Sequence, residues 1–418
     1  MFRKTPGVLF VSGSIGLGHV TRDLALAAAL REKVPGVRLA WLAGDAARDF
    51  LAAAGEPLLP ESAHYTTGTG IVEAAGRGFS LNLAQPSYLF RNPCNLLRLF
   101  RFYKDLRLNV SLFRQAAATR DFRLVVGDET FELALAITRN PALKAAPFVL
   151  LTDFLGVDAM TRNPFERLLV RVMNRGWVAL LRGIGRTCDR VLFVGEAEDV
   201  PDVPFGRRLP SRRTLALEKV DFVGYVLGFN PAALADRAAV RRRLGYGEGP
   251  VVLCAVGGTS VGIPLLRLFA EACPLVRERV PEAAFIAVGG PRIPGSAVDG
   301  PPGLDVRGYV PELYEHLAAV DLAVVQAGGA TTLELTALRR PFLYFPLEGH
   351  FEQANVVHGR LSRHGAGRRL DFGRTDARSL AAAILETLGT TPGWPPIRCD
   401  GAKKAAGILA AYLDHPPG

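Results

Sequence analysis

Short runs of consecutive apolar residues alternate along this chain with longer stretches in which apolar positions recur every three or four residues. The first pattern is that of strands buried on both faces of a parallel sheet, and the second that of the helices covering it. Strands are expected at Gly7 to Ser12, Val37 to Ala43, Arg123 to Gly127, Pro147 to Thr152 and Arg190 to Val194. A second set is expected at Pro250 to Val256, Ala283 to Val288, Leu304 to Arg307, Leu322 to Gln326 and Pro341 to Phe345. Each set forms its own βαβ series, so the fold class is α/β with two doubly wound, Rossmann-like parallel sheets. Gly, Asn and Pro at Gly228 to Pro231, ahead of a charged helix, mark the linker between them. The domains are drawn at 1–226 and 227–391, with a helical tail, 392–418, expected to pack back toward the N-terminal domain.

The length agrees with that division, since 418 residues exceed the roughly 250 to 300 at which one core stops growing. Hydrophobic residues at 49% and charged residues at 22% exclude a disordered chain. No run approaches the roughly 20 apolar residues of a membrane span, and the opening MFRKTPGVLFVSG has no signal-peptide core, so a cytoplasmic protein is expected. The five cysteines (Cys94, Cys188, Cys254, Cys273, Cys399) form no C-x-x-C pair, so neither a disulfide framework nor a zinc site is indicated. A net charge of +10 raises the question of a polyanionic partner. Only seven of the 50 basic residues are lysine, and the arginines are scattered without interleaved aromatics, so nucleic acid is not the expected partner.

One stretch, Arg91 to Gln115, has its own pattern. At 100° per residue, Leu96, Leu99, Tyr103, Leu106, Val110 and Phe113 share an arc of roughly 100°. Arg98, Arg101, Lys104 and Arg107 occupy the remaining face. This amphipathic basic helix either packs on its own domain or meets an anionic lipid surface at the edge of a membrane.

Two motifs carry candidate chemistry. Directly after the first strand, SGSIGLGHVTRDLALAAAL places Gly13, Gly16 and Gly18 where the backbone can turn tightly at a strand's carboxyl end, ahead of a helix. The third glycine of a dinucleotide fingerprint is missing, because Thr21 stands there. His19 sits at the mouth of that helix, where an imidazole can act as a general base near neutral pH. The second motif spans Leu322 to Gly367. A strand ends at Gln326, Gly328 and Gly329 open a turn, and Ala330, Thr331 and Thr332 begin a helix whose free N–H groups suit a diphosphate. Glu334 lies one turn inside, placed to accept hydrogen bonds from ribose hydroxyls. A loop begun by Pro346 then carries His350, Glu352 and Gln353, which suit a sugar. Thr332 could equally be a helix cap and Glu334 a surface residue.

Taken together, Gly328, Gly329, Glu334, Pro346, Glu352, Gln353, Asn355 and Gly365 resemble the donor domain of GT-B glycosyltransferases. The resemblance is to family 28, typified by the peptidoglycan lipid-intermediate N-acetylglucosaminyltransferase, and more loosely to the family 1 UDP-glycosyltransferases. Gly16 and Gly18 with His19 resemble the acceptor loop of those families. The resemblance implies two Rossmann-like domains facing across a cleft and transfer from a nucleotide sugar, most simply a UDP-sugar, as co-substrate rather than cofactor. It also implies that Gly258, Thr259 and Ser260 approach the diphosphate and that Tyr309 and Val310 hold the nucleobase. Glu352 and Gln353 would hold the transferred sugar. His19 would deprotonate a hydroxyl of a lipid-linked or secondary-metabolite acceptor, with Asp128 in RLVVGDETF as its partner or simply as a helix cap. Gln326 departs from family 1, which has a His there. Negative charge grows on the diphosphate as its bond to the anomeric carbon breaks, and the N–H groups at Gly329 to Thr332 can stabilise it without a metal. The chain has no D-x-D, and attack opposite the leaving group implies inversion. Two alternatives stay open: a nonhydrolysing UDP-sugar epimerase, and an inactive binding protein on the same fold.

Overall fold

The computed structural model of the chain describes residues 7–12, 17–67, 93–257 and 260–414, apart from the side chains of 46, 93–100 and 102. Among the described residues, twelve strands form two six-stranded parallel sheets. The first contains β1 (Gly7–Ser12), β2 (Arg38–Ala43), β3 (Leu124–Asp128), β4 (Phe148–Thr152), β5 (Arg190–Phe193) and β6 (Asp221–Phe222) in the order 2-1-3-4-5-6. The second contains β7 (Val251–Ala255), β8 (Ala284–Val288), β9 (Leu304–Arg307), β10 (Leu322–Gln326), β11 (Phe342–Phe345) and β12 (Arg368–Arg369) in the order 12-11-10-7-8-9. Ten strands fall within a residue of their expected ends. The two unexpected ones, β6 and β12, are two-residue edge strands with no apolar run to announce them.

Alternate residues of a strand feed cores on opposite faces, which is why these strands read as continuous apolar runs. Val8 and Phe10 of β1 join Trp41 in one core, where the Phe10 and Trp41 rings stack at 4.7 Å, while Leu9 and Val11 join Phe148 in the other. In the second sheet Val252 and Cys254 face one core and Val251, Leu253 and Ala255 the opposite one. Burial pushes the Cys188 and Cys273 thiols up to about 12, so they behave as apolar packing groups.

Among the described residues, the helices of the first sheet are α1 (Leu17–Lys33), α2 (Asp45–Ala53), α3 (Pro93–Thr119), α4 (Phe131–Arg139), α5 (Pro164–Arg182) and α6 (Arg212–Lys219). Those of the second are α7 (Arg237–Arg243), α8 (Ile263–Arg277), α9 (Leu313–Ala319), α10 (Gly329–Leu338), α11 (His358–His364) and α12 (Ala377–Thr387). The chain divides into two compact units. The second is centred on Phe229–Ile397, and from Arg398 the chain belongs to the first again. There α13 (Gly401–Asp414) lays Ala405, Ala406, Leu409, Ala410 and Leu413 into the core that α1 lines with Val20, Leu26, Ala27 and Leu30.

The basic stretch forms α3; of the expected apolar stripe Phe113 is buried and Val110 packs against the same core, Tyr103 is not buried, and the Leu96 and Leu99 side chains lie outside the described ones. Leu112, Phe113 and Ala116 face inward, and so does Asn109, which accepts from the Thr66 amide (3.1 Å) and donates to its carbonyl (2.7 Å). Tyr103 is 54% exposed, with the Arg107 guanidinium 6.0 Å from its ring. Arg101, Lys104 and Arg107 are exposed; the Arg98 side chain lies outside the described ones. Among the described residues no helix is long and apolar enough to cross a membrane.

Candidate functional site

In an open parallel sheet, ligands bind beyond the carboxyl ends of the strands, where the winding reverses. The two reversals lie between β1 and β3 and between β7 and β10. Both coincide with the motifs singled out by sequence.

At the first, Ser12 and Asp128, the last residues of β1 and β3, are register partners. The chain bends sharply after Asp128. A Cβ on Gly127 would stand 2.2 Å from Thr130 Oγ1 and 2.8 Å from the Phe148 ring, so only glycine fits. Glu129 is then held at a φ of 51°, a left-handed conformation that non-glycine residues seldom adopt and that concentrates at functional sites. The bend presents two successive carboxylates, Asp128 and Glu129, to α1.

Positions 19, 22 and 23 share a face of α1 because they are three and four residues apart. His19 Nδ1 lies 3.3 Å from Asp128 Oδ2, an ion-pair distance without hydrogen-bond alignment, and His19 Nε2 lies 3.9 Å from Glu129 Oε2. Arg22 donates from Nε to Asp128 Oδ2 (3.1 Å), from Nη2 to Asp128 Oδ1, and from Nη1 to Asp153 Oδ2 (2.7 Å). Ser12 donates to Asp23 Oδ2 at 2.9 Å.

The charges of this buried cluster follow from its contacts. Burial alone would raise the Asp128 carboxyl, but Arg22 and then His19 outweigh it and hold Asp128 well below the usual carboxylate range. Asp153 is lowered in the same way, burial being overcome by Arg22. Asp23 goes the other way, raised well above its ordinary value by burial and then by neighbouring Asp128, so of these acids it is the one whose surroundings favour the neutral form. His19, Asp128 and Glu129 offer three ligand atoms within 4.8 Å of one another, a spacing open to a cation. Both Asp128 oxygens already accept from the Arg22 guanidinium, whose positive charge opposes a second cation at that carboxylate.

At the second reversal, buried Gln326 ends β10, and its Oε1 accepts from the Gly257 amide at 3.4 Å in the loop that follows β7. Gly328 caps α10 without any side-chain capping bond, so the amides of the first turn are left for another acceptor. Arg360 of α11 is 8% exposed and donates to the Gly329 carbonyl at 2.7 Å, which brings a guanidinium to the same turn. Burial pushes the half-buried Glu334 carboxyl up to about 7. Tyr309 is exposed and Val310 partly buried just ahead of α9, where Tyr314 is raised by burial first and then by its hydrogen bond to Glu312.

Beyond β11 the loop from Pro346 ends in a π-helical turn, Glu352–Val357, a form often found at functional sites. Gln353 is buried and its Oε1 accepts from the Leu347 amide at 3.0 Å, closing the loop on itself. Burial lowers His350, whose Nδ1 accepts from the Gln353 amide at 3.4 Å, so the ring is neutral. The Glu352 carboxylate approaches the start of α10, its Oε1 3.9 Å from where a Cβ on Gly329 would stand.

No family model matches the chain. Over 330 residues, 77% of this chain and 86% of the relative, it is 30% identical to an uncharacterized glycosyltransferase of Methanopyrus kandleri. The chain belongs to the GT-B glycosyltransferases. It is also 25% identical, over 43% of its length, to the UDP-N-acetylglucosamine–N-acetylmuramyl-(pentapeptide) pyrophosphoryl-undecaprenol N-acetylglucosamine transferase of Carboxydothermus hydrogenoformans, of which it spans about half (52%). In fold it is similar to the solved glycotransferase of kitacinnamycin, with a TM-score of 0.58 at 16% identity, covering 99% of this chain and 96% of that one.

In this glycosyltransferase the residues expected from the sequence are distributed as follows. His19 and Asp128 are together, with Gly18 in the first turn of α1; Gly16 lies outside the described residues, as do Gly258 and Thr259. Ser260 is exposed in the turn Ser260–Gly262 after β7. Gln326, Gly328, Gly329, Ala330 and Thr331 gather at the amino end of α10, with Glu352 beside them. Thr332 differs from expectation: it is fully buried and its hydroxyl donates to the Gly328 carbonyl at 2.8 Å, so it closes the helical turn rather than facing a ligand. Gln353 likewise spends its carbonyl oxygen on its own loop. Sequence reading missed Arg22, Asp23, Glu129, Asp153 and Arg360. The spacing of His19, Arg22 and Asp23 along one helix face was the signal available for the first two.

Proposed function

We propose that this glycosyltransferase moves a hexosyl group from a UDP-sugar to the hydroxyl of a lipid-linked or secondary-metabolite acceptor, with inversion and without a metal. The observation that carries the reading is His19, set between Asp128 and Glu129 at the winding reversal of the first sheet. With Asp128 on the Nδ1 side, the proton rests on Nδ1 and Nε2 offers its lone pair to the acceptor hydroxyl. His19 takes that proton as the acceptor oxygen bonds to the anomeric carbon. The bond from that carbon to the diphosphate breaks, and its electron pair leaves with the nucleoside diphosphate. The uncapped amides of Gly329, Ala330 and Thr331 receive the growing charge. Glu334 takes the ribose hydroxyls, the turn at Tyr309 and Val310 the base, and Glu352 with His350 the sugar.

Support for metal independence comes from Arg22, which supplies the positive charge at Asp128 that a cation would otherwise provide. The nucleotide sugar is the co-substrate, and no resident cofactor is called for.

The test measures UDP release from a panel of UDP-sugars with and without acceptor alcohols. Release that depends on acceptor, with a product of inverted anomeric configuration, is expected. Interconversion of the sugar without acceptor would make the protein an epimerase instead. His19→Ala should lower turnover by 10²-fold to 10⁴-fold, the usual contribution of a general base, with UDP affinity unchanged. Equal loss of UDP affinity would reassign His19 to the donor.

A further inference from the structure

Thr332 and Arg360 lie at the start of α10, and the transferase reading gives neither of them a role. Thr332 is fully buried and Arg360 nearly so. A guanidinium is costly to bury, so the acceptors it meets are informative. Its Nη2 donates to the Gly329 carbonyl at 2.7 Å and, at 3.3 Å, to Thr332 Oγ1. The Thr332 hydroxyl in turn donates to the Gly328 carbonyl at 2.8 Å. One cation thus reaches two successive backbone carbonyls, the first directly and the second through a hydroxyl.

Each of those carbonyls shares a peptide group with the amide of the next residue. The Gly328 carbonyl is conjugated to the Gly329 N–H, and the Gly329 carbonyl to the Ala330 N–H. A donor on the oxygen draws electron density through the C–N bond and leaves the amide hydrogen more positive. The bond that such an amide makes is strengthened by roughly 10 to 30%. Both amides belong to the first turn of α10, which no side chain caps.

Packing alone does not call for a charge here. Leu335 and Leu338 of α10 already share an apolar core with Val357 and with Leu361 of α11. A guanidinium added to that contact does what an apolar side chain could not: it stands permanently charged behind the amides of the turn.

We propose that Arg360, acting through the Gly329 carbonyl and the Thr332 hydroxyl, is a positioning residue that polarises the Gly329 and Ala330 amides toward the diphosphate of the donor. The inference rests on the transferase reading, which places the diphosphate at this turn, and adds the source of charge behind it. Its effect scales with the negative charge of the ligand and vanishes for a neutral one.

The experiment is calorimetric titration of the full chain with uridine, UMP and UDP. The wild type should bind UDP at least tenfold more tightly than uridine. Arg360→Met should weaken UDP about tenfold and UMP less, with uridine affinity within twofold of the wild type. Arg360→Lys, which keeps the charge and loses the planar fork, should recover most of the UDP affinity. Thr332→Val removes the hydroxyl at nearly constant shape and should weaken UDP roughly threefold, again sparing uridine. Wild-type binding of UDP no tighter than of uridine overturns the donor reading and the inference with it. Tight UDP binding by the wild type that Arg360→Met and Thr332→Val leave intact overturns the inference alone. Equal loss of uridine and UDP in these variants also overturns it, because Arg360 is then only a brace between α10 and α11. Should Arg360→Met not fold, the same contrast between UDP and uridine in Thr332→Val decides.

Discussion

Arg22 holds Asp128 through both carboxylate oxygens, and the same carboxylate stands 3.3 Å from His19 Nδ1. The carboxylate beside the imidazole is thus itself fixed by a guanidinium, which a second acid, Asp153, anchors in turn.

Removing Arg22 leaves the buried Asp128 carboxylate and the half-buried Asp153 carboxylate without their partner. Arg22→Met should destabilise the first unit by about 3 to 5 kcal/mol, as breaking other buried ion pairs does. Thermal denaturation with circular dichroism measures it. Asp128 and Asp153 are lowered in the folded state, so the stability they contribute is present above their unfolded values near 4 and is lost as pH falls below. The variant should therefore show a flatter decline than the wild type below pH 4. Equal stability of the two proteins at pH 7 would remove Arg22 from the structural role assigned here.

Asp23 is the opposite case. Its carboxyl is raised in the folded state, so it favours folding at low pH and costs stability as pH climbs past its unfolded value near 4. Asp23→Asn keeps an acceptor for the Ser12 hydroxyl and removes that cost. The variant should gain on the wild type as pH rises from 4 in urea denaturation. A gap that shrinks with rising pH would mean that Asp23 is charged.

The ribose contact proposed for Glu334 would carry its own pH signature. With the carboxyl at about 7 in the free protein, a ribose pair that requires the carboxylate binds more tightly as pH rises. Affinity for a UDP-sugar, whose diphosphate stays ionised throughout, should fall nearly tenfold per unit below pH 7 in calorimetric titrations. Glu334→Gln should flatten that profile and weaken binding at pH 8 by about 1 to 3 kcal/mol. A wild-type affinity constant between pH 5.5 and 8 would take Glu334 out of the ribose contact.

The strands were legible because burial on both faces leaves no polar residue inside them, as in Gly7–Ser12 and Leu322–Gln326. What sequence could not show was where each polar side chain of a helix points. Thr332 reads the same whether its hydroxyl faces a ligand or, as here, its own helical turn. Arg22 and Asp23 read as solvated helix positions, because their partners Asp128 and Ser12 are brought close only by the pairing of β1 with β3. In α3 the buried stripe runs through Asn109, whose two bonds to Thr66 make a polar residue acceptable inside.

Helix α13 sets the order in which the polypeptide can mature. Its Ala405, Leu409 and Leu413 cover apolar surface of α1, near the opposite end of the sequence. During synthesis Phe229–Ile397 is complete before α13 exists, so the later-made half can finish folding while the earlier-made half still carries an open hydrophobic face. That face stays available to chaperones, or to the wrong partner, until the ribosome has released Gly401–Asp414.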